Sequence, residues 1–167
     1  YVTRDGVASN SGADGANAKE VQAALSNAHG ANCTESRLKQ GTYTSASGYR
    51  FARTLVMQGG YTGADANARS VDASLTVLTS TGSDGPVLDI NNISPNSPSA
   101  ALGRDTAVKN LTIAGGNNQA ALSFNGNGGG LRCISRGGKC NLTLRALIIR
   151  DNTAKGAGGG IPLEGVG

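Results

Sequence analysis

A chain of 167 residues with 38% hydrophobic residues, no Trp, two Phe and four Tyr is long enough for one domain, but its core must be built from Leu, Ile, Val and Ala in thin layers. Its net charge of +4 comes from 15 Lys and Arg set against 11 Asp and Glu, scattered along the chain. That pattern, with few aromatic rings to stack on bases, argues against a nucleic-acid partner, and no apolar run is long enough for a membrane-spanning helix.

The opening stretch YVTRDGVASNSGADGAN starts with a strand signal at residues 1–3 and passes into a Gly/Ser/Asn/Asp loop. Asp5, Asn10, Asp14 and Asn17 are oxygen donors suited to a stabilising calcium ion, although their spacing fits no EF-hand and turn chemistry accounts for the same residues. The chain begins at Tyr1 without an initiator Met or signal peptide, as a processed secreted protein would. NAKEVQAALSNAHGAN then predicts a short helix. Asn17 is its N-cap, Glu20 completes a capping box, and Gly30 stops it. Val21, Ala24, Leu25 and Ala28 make one narrow apolar stripe, suited to lying on the edge of a sheet. His29 sits where a helix dipole favours it.

Beyond the polar stretch NCTESRLKQ the signals change to short strands: GTYTS, RTLVMQGGY, SLTVLTS, PVLDI, AVKNLTIAG, AALSFNG, GGLRC, CNLTLRALIIRD and GGGI. Val56, Leu75, Val77, Val87, Leu111, Ile113, Leu142, Leu144, Leu147 and Ile149 supply period-two alternation, broken by Gly, Asn and Asp. No helical pattern intervenes, which excludes an ordinary βαβ architecture and leaves an antiparallel sandwich or barrel, or a parallel β-solenoid.

Internal repetition favours the solenoid. NLTIAGGNN…GNGGGL and ALIIRDNTA…GAGGGI share an order of strand, Asn-containing corner, insert and glycine triplet. Gly128, Gly129, Gly130, Gly158, Gly159 and Gly160 are therefore expected to be coil corners, where glycine permits positive φ and Asn can cap a turn. A phosphate cradle would need a helix directly after the glycines, and strand-like residues follow instead.

Cys133 and Cys140 flank ISRGGK, and a local disulfide is expected there, in keeping with an oxidising compartment. Cys33 is then unpaired or interchain. One His and no Cys-x-x-Cys spacing argue against zinc, so no cofactor is expected beyond structural calcium. Asn32, Asn92, Asn110 and Asn141 open glycosylation triplets, two of them inside predicted strands.

These segments together resemble the N-terminal region of bacterial secreted right-handed parallel β-helix proteins, the polymorphic outer-membrane and adhesin-like group. The opening strand and Asn/Gly loop, the helix AKEVQAALSNA, the segment GTYTS…LVMQGGYTGADANARSVDASLTVLTST and the coils VKNLTIAGGN…GGGL and LIIRDNTAKGAGGGI fall in the family's order. NCTESRLKQ, apolar in the family, and the Cys133–Cys140 insert depart from it. The resemblance implies an all-β, right-handed parallel β-helix with one short N-terminal capping helix, as a single domain over 1–167: strand, loop and helix at 1–30 and coils at 31–167. It also implies an extracellular or cell-surface, non-enzymatic protein, the N-terminal part of a cell-surface adhesin; the unpaired strand edges of an uncapped β-helix make a self-assembling fibre subunit the other expectation. Its partners would be other copies of itself, added head to tail or by strand addition, or a cell-surface glycan or protein. A polysaccharide lyase or hydrolase on the same fold is the alternative. It would draw on Asp89 with Asp105 or Asp151, and on Arg104 and Arg150 as bases.

Overall fold

The computed structural model describes residues 2, 20–25, 34–63, 67–92, 105–120, 126–136 and 140–166. Helix α1 (Val21–Leu25) is followed by β1 (Glu35–Lys39), β2 (Gly41–Ser45), β3 (Tyr49–Phe51) and β4 (Val56–Tyr61). A 3-10 turn at Ala73–Leu75 leads into β5 (Thr76–Ser80), β6 (Leu88–Asn92), β7 (Ala107–Ala114) and β8 (Asn117–Asn118). The series ends with β9 (Leu131–Arg136), β10 (Thr143–Arg150), β11 (Thr153–Ala154) and β12 (Leu163–Val166). The described chain is thus all-β apart from these short helical turns.

Every pairing between these strands is parallel. One sheet runs β1-β4-β7-β5-β2 with β10 also on β7, a second runs β12-β9-β6-β3, and β11 pairs β8. Strand β7 belongs to both halves of the larger sheet. Its first residues pair β4 and its last pair β5, and the bend between them falls at Asn110, where φ is 55°. The sheet curls there. The bend continues through its neighbours, at Gly60 in β4 (φ 92°) and at Ala146 in β10 (φ 51°).

Parallel register places like on like. Ser36, Met57, Val108 and Leu144 form one column, and Tyr43, Leu78, Ile113 and Ile149 another. In the second sheet Phe51, Ile90 and Cys133 stack beside Tyr49, Leu88 and Leu131. These columns are buried at the described core, with the β10 members half-buried. Removing stacked aliphatic surface from water is the main stabilising term, about 25 cal/mol per Å2.

Corners are joined through the backbone. Tyr49 N–H donates to Val87 O, Val87 N–H to Gly129 O, Gly129 N–H to Gly159 O, and Leu131 N–H to Gly160 O, at 2.8–3.0 Å. The glycine triplets therefore lie directly one over the other, with Gly128 (φ 71°) and Gly158 (φ 68°) in the left-handed region. A Cβ on Gly129 would run into the Thr153 carbonyl and come within 2.8 Å of Gly159 O. Asparagine side chains close the remaining corner groups. Asn152 donates to Ile113 O (3.0 Å) and accepts from Gly116 N–H (2.8 Å), and Asn118 donates to Asn127 O (2.9 Å).

Two edge strands, β3 and β1, are covered. The Gln22 amide on α1 donates to Arg50 O (3.1 Å) and accepts from Arg50 N–H (2.9 Å), occupying the open side of β3. Val2 bridges β1 through Arg37 O and Lys39 N–H. Val21, Ala24 and Leu25 are buried, as the helical stripe predicted, and Glu20 O accepts from Ala24 N–H. Asn17, Ala28, His29 and Gly30 lie outside the described residues.

The strand boundaries differ from expectation at identifiable places. NCTESRLKQ contains β1: Ser36 and Leu38 turn inward while Arg37 and Lys39 keep their charges outside, so polar composition hid a period of two. Strand β3 is too short to show periodicity. GGGI at 158–161 is a corner instead of a strand, and β12 starts at Leu163, after Pro162, which has no N–H to give to a ladder. Leu75 is 38% exposed and Val56 and Val77 are half-buried; the inward residues are their neighbours Met57 and Leu78. AALSFNG lies almost wholly outside the described residues.

Candidate functional site

Cys133 and Cys140 form the expected disulfide, with Cα atoms 6.3 Å apart, tying β9 to the segment before β10. Cys33, the calcium candidates Asp5, Asn10, Asp14 and Asn17, and also Asn32 and Arg104, lie outside the described residues. Among the described residues there is no group of three or more His, Cys, Asp or Glu that would hold a metal ion. Asn110 is buried, its amide donating to Ser70 O (2.7 Å) and Gly59 O (3.2 Å), so that triplet is structural. Asn141 is exposed before β10.

The carboxylate grouping that an enzyme would need is not what register produces. Asp89 on β6 lies between Arg50 on β3 and Arg132 on β9, in one outward column of the second sheet. Arg132 Nε donates to Asp89 Oδ1 and its Nη2 to Oδ2, both at 3.0 Å. Arg50 reaches Oδ2 from Nε at 2.9 Å and from Nη2 at 2.8 Å. Both oxygens are engaged by guanidinium groups, with Arg132 in a bidentate fork. The expected pairing of Asp89 with Asp105 or Asp151 is therefore replaced by this Arg–Asp–Arg ladder. Asp105 is exposed in a turn before β7, and Asp151 is exposed and paired with its neighbour Arg150, which removes Arg150 as a free base. A shallow cleft of about 300 Å3 opens over the ladder, with Asp84 and Gln22 at its walls.

A second cleft has the opposite character. On the outer side of the curled sheet, Arg37, Gln58, Lys109 and Arg145 occupy one column through β1, β4, β7 and β10. Arg37 is neutralised at its end: its Nε donates to Glu35 at 3.0 Å, and its cation lies 5.7 Å from the Tyr61 ring centre. The Glu35 hydrogen bond holds the Arg37 pKa above its ordinary value, and burial chiefly raises that of Tyr61.

The segment after β4 folds back to bring in Arg69. Thr62 N–H donates to Ala68 O, Ser70 N–H donates to Gly60 O, and Arg69 bridges Tyr61 antiparallel. With its amide oxygen turned to the guanidinium, Gln58 accepts from Arg69. Arg69, Lys109 and Arg145 then line a cleft of about 350 Å3 with Gln58, Asn110 and Ala146, and Val71 stands 79% exposed at its wall. No carboxylate is among the described residues of that lining. Among the described residues neither Lys109 nor Arg145 has an acidic partner.

Sequence reading did not find this cleft. Its cations lie far apart along the chain and meet through strand register and a folded-back loop. The Gly-Gly at residues 59–60 followed by Tyr61 was the visible signal, since it marks the bend on which the cleft is built.

Comparison with known proteins supplies no template: no protein-family model, curated protein or solved structure matches this chain significantly.

Proposed function

We propose that the chain is a length of right-handed parallel β-helix acting as a non-enzymatic extracellular structural or adhesive element. The observation that carries this reading is the in-register stacking of parallel strands distant in sequence, at the faces where Ile90, Ile113 and Val108 sit. Successive parallel strands joined by crossovers take the right-handed sense in nearly all sheets. Stacked coils give a rod whose stiffness comes from its continuous inner columns and whose outer columns present repeated side chains. The Cys133–Cys140 disulfide supports an oxidising, extracellular setting. The engagement of Asp89 by two arginines supports scaffold over lyase or hydrolase.

Coil register is tested by the double variant Thr44→Cys/Thr79→Cys. These residues are register partners on β2 and β5, and neighbouring strands lie about 4.8 Å apart, within disulfide reach. Quantitative cross-linking is expected; cross-linking of Thr44→Cys with Val77→Cys in its place would overturn the register. Function is tested by incubating the chain with acidic and neutral polysaccharides. Retention without product is expected, and steady release of reducing or unsaturated ends would overturn the non-enzymatic reading. Electron microscopy separates the two forms of the proposal: regular filaments identify a self-assembling subunit, discrete particles an adhesive rod.

A further inference from the structure

We propose that the cleft lined by Arg69, Lys109 and Arg145 binds a linear acidic polysaccharide, its carboxylate or sulfate groups seated on the column of cations. The inference rests on the adhesive form of the reading above and names its ligand class.

Lys109 and Arg145 are register partners on β7 and β10, so their backbones lie about 4.8 Å apart across the stack. Two cations one strand step apart match a polymer that repeats its charge, and a lone small anion would use one of them. Arg69 flanks them from the folded-back loop, and Gln58 continues the column as a neutral hydrogen-bonding group. Like charges held together without a counter-ion raise the local potential and draw in an anionic partner. The Arg50–Asp89–Arg132 ladder shows the contrast: there the chain supplies its own carboxylate, whereas at Lys109 and Arg145 the described residues supply none.

The rest of the lining favours sugar over nucleic acid. Its described residues include no aromatic ring on which a base would stack. It does hold exposed Val71 and Ala146, small apolar surfaces that suit the C–H face of a pyranose. The cleft is also fixed in shape. Asn110 and Ala146 hold positive φ at adjacent bends, and the Asn110 amide ties the bend to Ser70, next to Arg69.

The test measures binding of a sulfated glycosaminoglycan, polygalacturonate, neutral dextran and single-stranded DNA by calorimetry at two salt concentrations. The wild-type chain is expected to bind one or both acidic polysaccharides, more weakly at high salt, and to ignore dextran. Preference between the first two probes identifies sulfate or carboxylate as the seated group. Lys109→Gln/Arg145→Gln is expected to weaken that binding at least about tenfold, about 1.4 kcal/mol. Arg150→Gln/Lys155→Gln, with the same charge change outside the cleft, should stay within about twofold. Both variants are checked for wild-type unfolding midpoints.

Equal weakening by the two double variants would reduce the effect to net charge and overturn the site. Unchanged binding by Lys109→Gln/Arg145→Gln would overturn the cleft and leave an adhesive rod with another face. Binding of single-stranded DNA as tight as that of either polysaccharide would overturn the ligand class. Failure of the wild-type chain to bind either acidic polysaccharide overturns the inference itself, whereas product release in the same reactions overturns the non-enzymatic reading.

Discussion

Asp89→Asn is the substitution that best separates structural from catalytic use of the Arg50–Asp89–Arg132 ladder. Asp89 and Arg132 side chains are each 5% exposed, whereas Arg50 is 66% exposed. Asparagine keeps the shape but removes the charge, and it turns an N–H2 toward guanidinium donors. Arg132, itself buried, then loses the carboxylate that its Nε and Nη2 engage, which costs about 3–5 kcal/mol. Arg132→Met leaves Asp89 still paired with Arg50 and should cost less, about 2 kcal/mol. Arg50→Ala breaks a largely solvated contact and should cost about 0.5 kcal/mol. Asp89→Leu/Arg132→Met replaces the buried pair by apolar groups and should recover most of the loss. Urea-unfolding midpoints at constant m-value read all four. The reasoning is refuted if Asp89→Asn lies within about 0.5 kcal/mol of wild type, or if the apolar double variant is as unstable as Asp89→Asn.

Other consequences are equally direct. Burial pushes the Tyr49 phenol up to about 12 from 10.0, with Glu20 adding to the rise. The fold thus favours the neutral phenol, and this contribution is full below pH 10.0 and lost as pH climbs through about 12. Ultraviolet titration should show a late phenolate step that Tyr49→Phe removes; all tyrosines titrating together near the ordinary value would contradict it. Gly129→Ala should cost at least about 2 kcal/mol, because backbone of the adjoining layer must move. Gly63→Ala, which meets nothing within 4 Å, should cost about 0.5 kcal/mol or less in the same melts. Reducing the Cys133–Cys140 bridge opens a loop with a sequence separation of 7, worth about 2 kcal/mol of closure entropy. Melting curves with and without dithiothreitol should differ accordingly, and superimposable curves would show that the bridge adds nothing.

Local chemistry was legible in the sequence, and register was not. The glycine triplets were legible as bends because glycine adopts the left-handed backbone seen at Gly128 and Gly158 at the least steric cost. The 133–140 bridge was legible because it spans a short loop. Strand β1 was hidden, since Arg37 and Lys39 contribute charge to a strand whose inward members are just Ser36 and Leu38. The partners of Asp89 were hidden for another reason. Nothing in the residues around it shows that β3 and β9 will place Arg50 and Arg132 on either side. The Lys109–Arg145 pair was hidden in the same way. In a stack of parallel strands, side-chain neighbours are chosen by the lengths of the connecting loops, which carry no pattern of their own.

The Gln22 contact has a consequence for how such a sheet begins. A parallel sheet built from stacked layers has no intrinsic first strand, because every strand offers the next one an identical row of amide groups. The Gln22 carboxamide carries the same donor and acceptor as a peptide unit, and it meets Arg50 as a further strand would. One side chain thereby impersonates a piece of main chain at the open side of β3 without offering another row beyond itself. A single glutamine thus does at Arg50, by mimicry, what the peptide group of a neighbouring strand would do.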